Sequence, residues 1–312
     1  MIPFWGDPRL MRETIDSVLA QTSGDWLLTV VDDAYPDDTI SAYLAALEDP
    51  RVTYVRKEQN EGSRPTTRRA SGWRPRSSWR SSAATTCCSP TTSRRSSRRT
   101  RVPSVDVIQP GVQVIDEKGE VVSTLVDTVK RRLMMPRVAG PTVLAGEELA
   151  TSLLHADWLY WPSLVFRRDR LLRTPFRQDF PLIQDLALII DMVCDGATLL
   201  VEPTLCFSYR RHGASASSAR LLDGTRFVGE RRYFALAAQE VERLGWRRAR
   251  RAARVHLTSR LHALTLLPKA LRTQGRPRRP CWSMPSVRRR PLDERPRDAL
   301  TGRRHSALSN ER

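Results

Sequence analysis

Cysteine is scarce in this chain and long apolar runs are missing. The five cysteines (Cys87, Cys88, Cys194, Cys206 and Cys281) show none of the spacings that bind zinc. An odd count in 312 residues argues for a reducing, cytoplasmic setting rather than a disulfide scaffold. No stretch approaches eighteen apolar residues, and no charged-then-apolar segment opens the chain, so a soluble protein is expected. Acidic residues are absent from positions 63–101, and the only aromatics there are Trp73 and Trp79. That is too little stacking surface for a single-strand nucleic-acid site, and no nucleic-acid-binding module is recognisable.

What the chain has in excess is positive charge, a formal +18, and its location matters more than its size. Residues 63–101 hold 11 arginines and no acid, and 17 of those 39 residues are Ser or Thr. Residues 273–312 hold another 11 arginines against 4 acids. These two stretches account for the whole excess. The rest is neutral and, with 40% apolar residues overall, resembles an ordinary globular enzyme.

The organising stretch is 26–38, Trp26-Leu-Leu-Thr-Val-Val-Asp-Asp-Ala-Tyr-Pro-Asp-Asp38. Its apolar half suits a buried parallel strand, and Asp32-Asp33 ends that strand before Pro36 turns the chain. Open α/β sheets bind ligands at such carboxyl ends. Upstream, Asp7 can cap a helix with Pro8 at its first position, and Met11, Ile15, Val18 and Leu19 mark its buried face. Downstream, Ile40, Tyr43, Leu44 and Leu47 mark a second helix, and residues 52–55 a strand. This alternation predicts an α/β protein with a mostly parallel sheet flanked by helices. Only Met1–Phe4 is left for a first strand, so the N-terminus looks clipped.

From Val105 the pattern resumes. Strands are expected at 105–109 and 164–166, a hairpin about the turn Asp116-Glu-Lys-Gly-Glu120, and a helix at 147–155. Asp185 opens an apolar helix over 186–194, strands follow at 198–201 and 205–209, and 225–271 reads as Arg-rich helix.

Residues 63–101 show no apolar periodicity of either kind. Taken as written they are a disordered basic loop, yet a structureless insert of about 39 residues is unusual inside a compact domain. The genetic code offers another account. In the frame that begins on the third base of each present codon, Ala84/Thr85 and Thr85/Thr86 can each encode Asp, and Cys87/Cys88 must encode Leu. The continuation permits D-D-V-L-L-P-D-Y-V-E-T-V-L-A-A-H, an acidic turn followed by an amphipathic helix. The sequence is therefore expected to be frameshifted from about Ser63 to about Val102. The tail invites the same suspicion, because in that frame Cys281/Trp282 gives Leu and Met284/Pro285 gives Ala.

The chain resembles family 2 nucleotide-sugar glycosyltransferases of the GT-A fold over residues 1–62 and 103–215. The resemblance rests on Ile2-Pro-Phe-Trp-Gly-Asp-Pro8, Asp16-Ser-Val-Leu-Ala-Gln21, Val30-Val-Asp-Asp33, Asn60-Glu-Gly62, Gln184-Asp185 and Tyr209-Arg-Arg-His212. It implies a nucleotide diphospho-sugar donor and inverting transfer to a saccharide or lipid-linked acceptor. Pro3, Phe4, Trp5, Asp32, Asp33, Asn60 and Gly62 would surround the nucleoside. Arg210, Arg211 and His212 would face the leaving diphosphate. Asp185 would be the catalytic base, although the spacing equally suits a helix N-cap. Asp157, Trp158, Trp161 and Gln184 would line the acceptor side, where aromatic faces suit sugar rings. The family's divalent metal, Mg2+ or Mn2+, is held by an Asp-x-Asp type motif. That motif is missing as written, with its remnant near Ala84, Thr85 and Thr86, so metal binding and activity are expected to be impaired.

The expected organisation is a nucleotide-binding half (1–62), an aberrant segment (63–102), an acceptor half (103–215), a helical region (220–272) and a disordered basic tail (273–312). The alternative function is a basic nucleic-acid-binding protein acting through the two Arg-rich stretches. The Arg-rich helices at 231–260 would also suit peripheral contact with a membrane's inner face.

Overall fold

The computed structural model describes residues 1–60, 78–80, 87–88, 105–123, 128, 134–180, 182–211, 225–256 and 260. All belong to one unit, Met1–Ala270; the second unit, Leu271–Arg312, lies outside the described residues. The aberrant segment, apart from two short strands, and the basic tail therefore fall outside the description as well.

The N-terminal sheet has the order β1 (Ile2–Phe4), β2 (Leu28–Asp32), β3 (Val52–Arg56), all parallel. Two helices make the crossovers, α1 (Pro8–Leu19) and α2 (Thr39–Ala46). Asp7 caps α1 by accepting the Arg9 N–H at 2.8 Å, and Pro8 occupies the first turn as expected. Met11 and Ile15 from the buried face of α1 join Ile2, Phe4, Trp26, Leu28, Val30, Ile40 and Leu44 in this half's core, with Val18 and Leu19 packed against it. Register aligns Phe4 with Asp32 and Asp32 with Arg56, so the three strands end together on one edge. Three residues suffice for β1 because both its side chains that point inward, Ile2 and Phe4, are fully covered.

The second sheet is built on β6 (Val107–Ile115) running parallel to β9 (Thr198–Arg210). Antiparallel neighbours are β4 (Ser78–Arg80) on β8 (Val165–Arg167), β8 on β6, β5 (Cys87–Cys88) on β9, and β7 (Thr142–Ala145) on β9. The parallel pairings are thus the long ones, and antiparallel strands trim the rest. Both β6 and β9 continue through points where the sequence predicts breaks, Pro110-Gly111 and Glu202–Thr204. The register shifts at these points, and a bulge absorbs the misfit. A Cβ on Gly111 would stand 2.6 Å from the carbonyl oxygens of Pro203 and Thr204, so only glycine lets the two backbones cross there. The hairpin after β6 is short among the described residues: one Ile115–Val121 bridge and a Val122 N–H donated to the Val114 carbonyl at 3.0 Å.

Helices α3 (Gly146–His155), α4 (Arg168–Arg173), α5 (Gln184–Cys194), α6 (Thr225–Arg243) and α7 (Arg247–Val255) complete this half. From Leu186 to Val193, α5 buries every residue except Asp191, which makes it the central helix of the larger core. Tyr233, Phe234, Ala237 and Val241 of α6 join it, and α7 packs Ala249, Ala252 and Ala253 against α3 and α6.

Candidate active site

At the β2 tip the chain places two carboxylates and then reverses. Asp33 donates its N–H to the Phe4 carbonyl at 3.0 Å, extending the β1–β2 ladder by one bond. Ala34 then takes a left-handed conformation (φ 63°), a strained choice for alanine, and this returns the Tyr35 N–H to Asp32 Oδ1 at 2.6 Å. Asp32 Oδ2 accepts from the Tyr54 hydroxyl at 2.6 Å. Burial and this bond to the carboxylate push the Tyr54 phenol up to about 12. Asp33 Oδ1 accepts from Lys57 Nζ at 2.6 Å in a buried ion pair, the side chains 2% and 10% exposed.

Lys57, Tyr54 and Tyr35 escape the sequence reading. The parallel register supplies the missing signal: β3 stands opposite β2, so the residue beyond Arg56 falls beside the residue beyond Asp32. The Tyr35 ring packs on Phe4 (4.8 Å between centroids) and meets Trp5 edge-on at 5.6 Å. Trp5 remains 53% exposed, an aromatic face at the rim of the carboxylate pair. The expectation for Phe4 needs correction: its ring is core, and what it offers the strand tip is its carbonyl. Pro3 is half-buried within β1, and Asn60 is exposed four residues beyond β3. Gly62 lies outside the described residues.

Asp185 is half-buried in the first turn of α5, but it is not the N-cap that the spacing allows. The helix begins one residue earlier, at Gln184, and the cap position is Ile183, which makes no side-chain capping bond. Asp185 Oδ1 accepts the Leu186 N–H at 2.9 Å. Gln184 donates to the Arg177 carbonyl at 3.3 Å, and Arg177 grips Asp191 with two bonds of 2.7 and 2.9 Å.

The segment before β8 divides its residues between core and surface. Trp158 is fully buried and donates Nε1–H to Ser152 Oγ at 3.0 Å, so its ring belongs to the core and not to an acceptor surface. Asp157 is exposed, and Trp161 is half-buried, 5.4 Å from Phe166 and 6.0 Å from Phe176 between ring centroids. Buried Gln109 of β6 anchors this segment by accepting the Tyr160 N–H (2.9 Å) and donating to Ser163 Oγ (2.8 Å).

Arg210 also departs from expectation. It is buried, it donates to Glu13 of α1 at 2.5 Å, and it reaches the Glu117 carbonyl at 2.9 Å. Its guanidinium ties β9 to α1 and the 116–120 turn, which removes it from the diphosphate role. Arg211 is exposed just beyond β9, and His212 lies outside the described residues.

Among the described residues no group of three His, Cys, Asp or Glu side chains could hold a metal ion. Asp32 and Asp33 bring only two carboxylates to the strand tip, and these serve Tyr54, the Tyr35 N–H and the Lys57 ammonium. Ala84, Thr85 and Thr86 lie outside the described residues.

An α/β fold with a parallel nucleotide-type half and carboxylates at its strand tip is the GT-A arrangement. Residues 1–65 match the glycosyl transferase family 2 model. Over 63 residues the chain is 35% identical to the Escherichia coli (strain K12) protein WcaA, named as a colanic acid biosynthesis glycosyl transferase. That match spans 20% of this chain and only 23% of the relative's length. Among solved structures, Staphylococcus aureus TarS 1–349 in complex with UDP-GlcNAc superposes with a TM-score of 0.57 at 14% identity, covering 77% of this chain and 64% of that one. The mannosyltransferase PcManGT of Pyrobaculum calidifontis, in complex with GDP-Man and Mn2+, gives a TM-score of 0.53 at 16% identity, covering 88% and 77%. At these identities the two structures speak for the fold.

Proposed function

We propose that the chain is an inverting glycosyltransferase that moves a sugar from a nucleotide diphospho-sugar to an acceptor hydroxyl. The observation that carries this reading is the buried Asp33–Lys57 pair beside Asp32 at the β2 tip. A carboxylate acceptor next to an ammonium donor matches a base that presents a ring N–H beside a carbonyl, which uracil, guanine and thymine do and adenine and cytosine do not. The donors named for the two solved relatives, UDP-GlcNAc and GDP-Man, carry such bases. Asp32 serves the ribose hydroxyls, Trp5 and the Pro3–Trp5 backbone close the nucleoside side, and Asn60 and Gly62 serve the base and sugar.

Asp185 acts as the base. It takes the acceptor hydroxyl's proton as that oxygen forms its bond to the anomeric carbon, and the bond from that carbon to the nucleoside diphosphate breaks on the opposite face. Arg211 and His212 offset the charge on the leaving diphosphate. Asp157, Trp161 and Gln184 contact a saccharide or lipid-linked acceptor, and the enzyme works in the cytoplasm at the membrane's inner face. Mg2+ or Mn2+ would supply further charge neutralisation on the diphosphate, but the described residues do not fit it and no step here uses it. We infer that its ligands belong to the reading frame lost over 63–102, which leaves the written chain impaired. The coding DNA across residues 60–105 tests this, and a stop codon in the alternative frame would refute it.

Uridine, guanosine or thymidine diphosphate should raise the melting temperature, and adenosine and cytidine diphosphates should not. An unchanged melt with all five would sink the proposal. In a frame-restored protein Asp185→Asn should lower transfer by roughly a hundred- to ten-thousandfold, the range for loss of a general base, while nucleotide binding stays. Retained turnover would remove Asp185 from its role.

A further inference from the structure

The last helix carries a surface that the transfer reaction does not use. In α7 the alanines at 249, 252 and 253 are fully buried, so the helix sits flat and close on α3 and α6. At roughly 100° per residue, Arg247, Arg251 and Arg254 fall within about 60° of one another on the side opposite those alanines. All three are exposed. The acids that border the helix are spoken for by other arginines: Glu147 by Arg248 (2.6 Å to its N–H) and Glu242 by Arg250 (3.0 Å). No ion pair is recorded for the three stripe residues among the described residues. Apolar side chains stand exposed at both ends, Leu244 (44%) just before the helix and Val255 (38%) at its last position.

We propose that this stripe docks the protein on an anionic membrane surface. A row of arginines centred on the outward side, flanked by aliphatic residues, fits phosphate headgroups with shallow apolar insertion beside them. A single-stranded nucleic acid would need aromatic faces beside the cations, and the neighbouring rings are engaged: Trp246 is half-buried and His256 stacks on Phe234 at 5.0 Å. A second copy of the same stripe would meet it with like charge. The proposal extends the reading in which the acceptor is lipid-linked, and its test does not depend on turnover.

Binding of the full chain to phosphatidylcholine vesicles with and without phosphatidylglycerol is the measurement, made without nucleotide. Arg247→Gln/Arg251→Gln/Arg254→Gln should cut partition into the anionic vesicles about a hundredfold, at roughly a factor of five per arginine. Arg276→Gln/Arg278→Gln/Arg279→Gln makes the same change in net charge and should cost several-fold less. Leu244→Ser/Val255→Ser should weaken binding while leaving its salt dependence intact. Equal losses from the two arginine triples would overturn the proposal, because general basicity would then explain the binding. So would stripe-dependent binding of polyuridylate stronger than that of vesicles. Stripe-dependent vesicle binding without any melting shift from nucleotide diphosphates would sink the transferase reading and leave this surface standing.

Discussion

Asp33 and Lys57 meet at 2.6 Å with both side chains largely covered, so the pair is a structural commitment as well as a recognition element. Removing one partner leaves its opposite charge in a poorly hydrated site, whereas replacing both with groups of similar size removes the electrostatic debt. Asp33→Asn and Lys57→Met should therefore each lower stability by about 3 kcal/mol in denaturant titrations. The double variant should return to within about 1 kcal/mol of the parent yet fail to bind the nucleotide. If the double variant bound uridine or guanosine diphosphate as the parent does, the pair would be architecture alone. Asp185 lies in the first helical turn without occupying the cap position, and its Oδ1 accepts the Leu186 N–H.

At the scale of elements, the crossing of β6 and β9 is the tightest point in the second sheet. Gly111→Ala would drive a methyl into two backbone carbonyls that cannot rotate aside. The expected loss is about 3 kcal/mol, read as a drop of roughly 5–10 °C in melting temperature; a neutral result would mean that the bulge relaxes. The same crossing shows where sequence patterns stop being informative. Pro110-Gly111 and Pro203 are local breakers, and nothing within ten residues says that two strands pass through them by shifting register against each other. The cap at Asp7-Pro8, the apolar spacing of α1 and the run ending at Asp32 were legible because cap, helix and strand are local. Lys57 was not, since its partner is set by strand pairing across 24 residues. Nor was β7, whose half-buried and exposed residues alternate without strong apolar contrast. Trp158 and Trp161 look alike in sequence and part company because the first is fully buried and donates to Ser152 of α3, whereas the second stays half-buried beside Phe166 and Phe176.

For the whole molecule, the described strands form two sheets that share no strand. The acids and bases of one half must then be aligned with those of the other by side chains, and Arg210 is the clearest such link. It enters from β9, donates from Nη1 to the Asp116 and Glu117 carbonyls of the 116–120 turn, and ends with Nη2 on Glu13 of α1. The Arg210 side chain is 3% exposed while Glu13 is 43% exposed, so solvent would take over for the carboxylate if the arginine were lost. The damage should come from the abandoned carbonyls and the lost tie, about 2 kcal/mol in total. Arg210→Met is accordingly expected to melt somewhat earlier, with amide exchange rising selectively in α1 and at the 116–120 turn. Exchange that rises evenly through both halves would mean that the arginine supports the core generally. A rise confined to the turn would mean that α1 is held in place by other contacts.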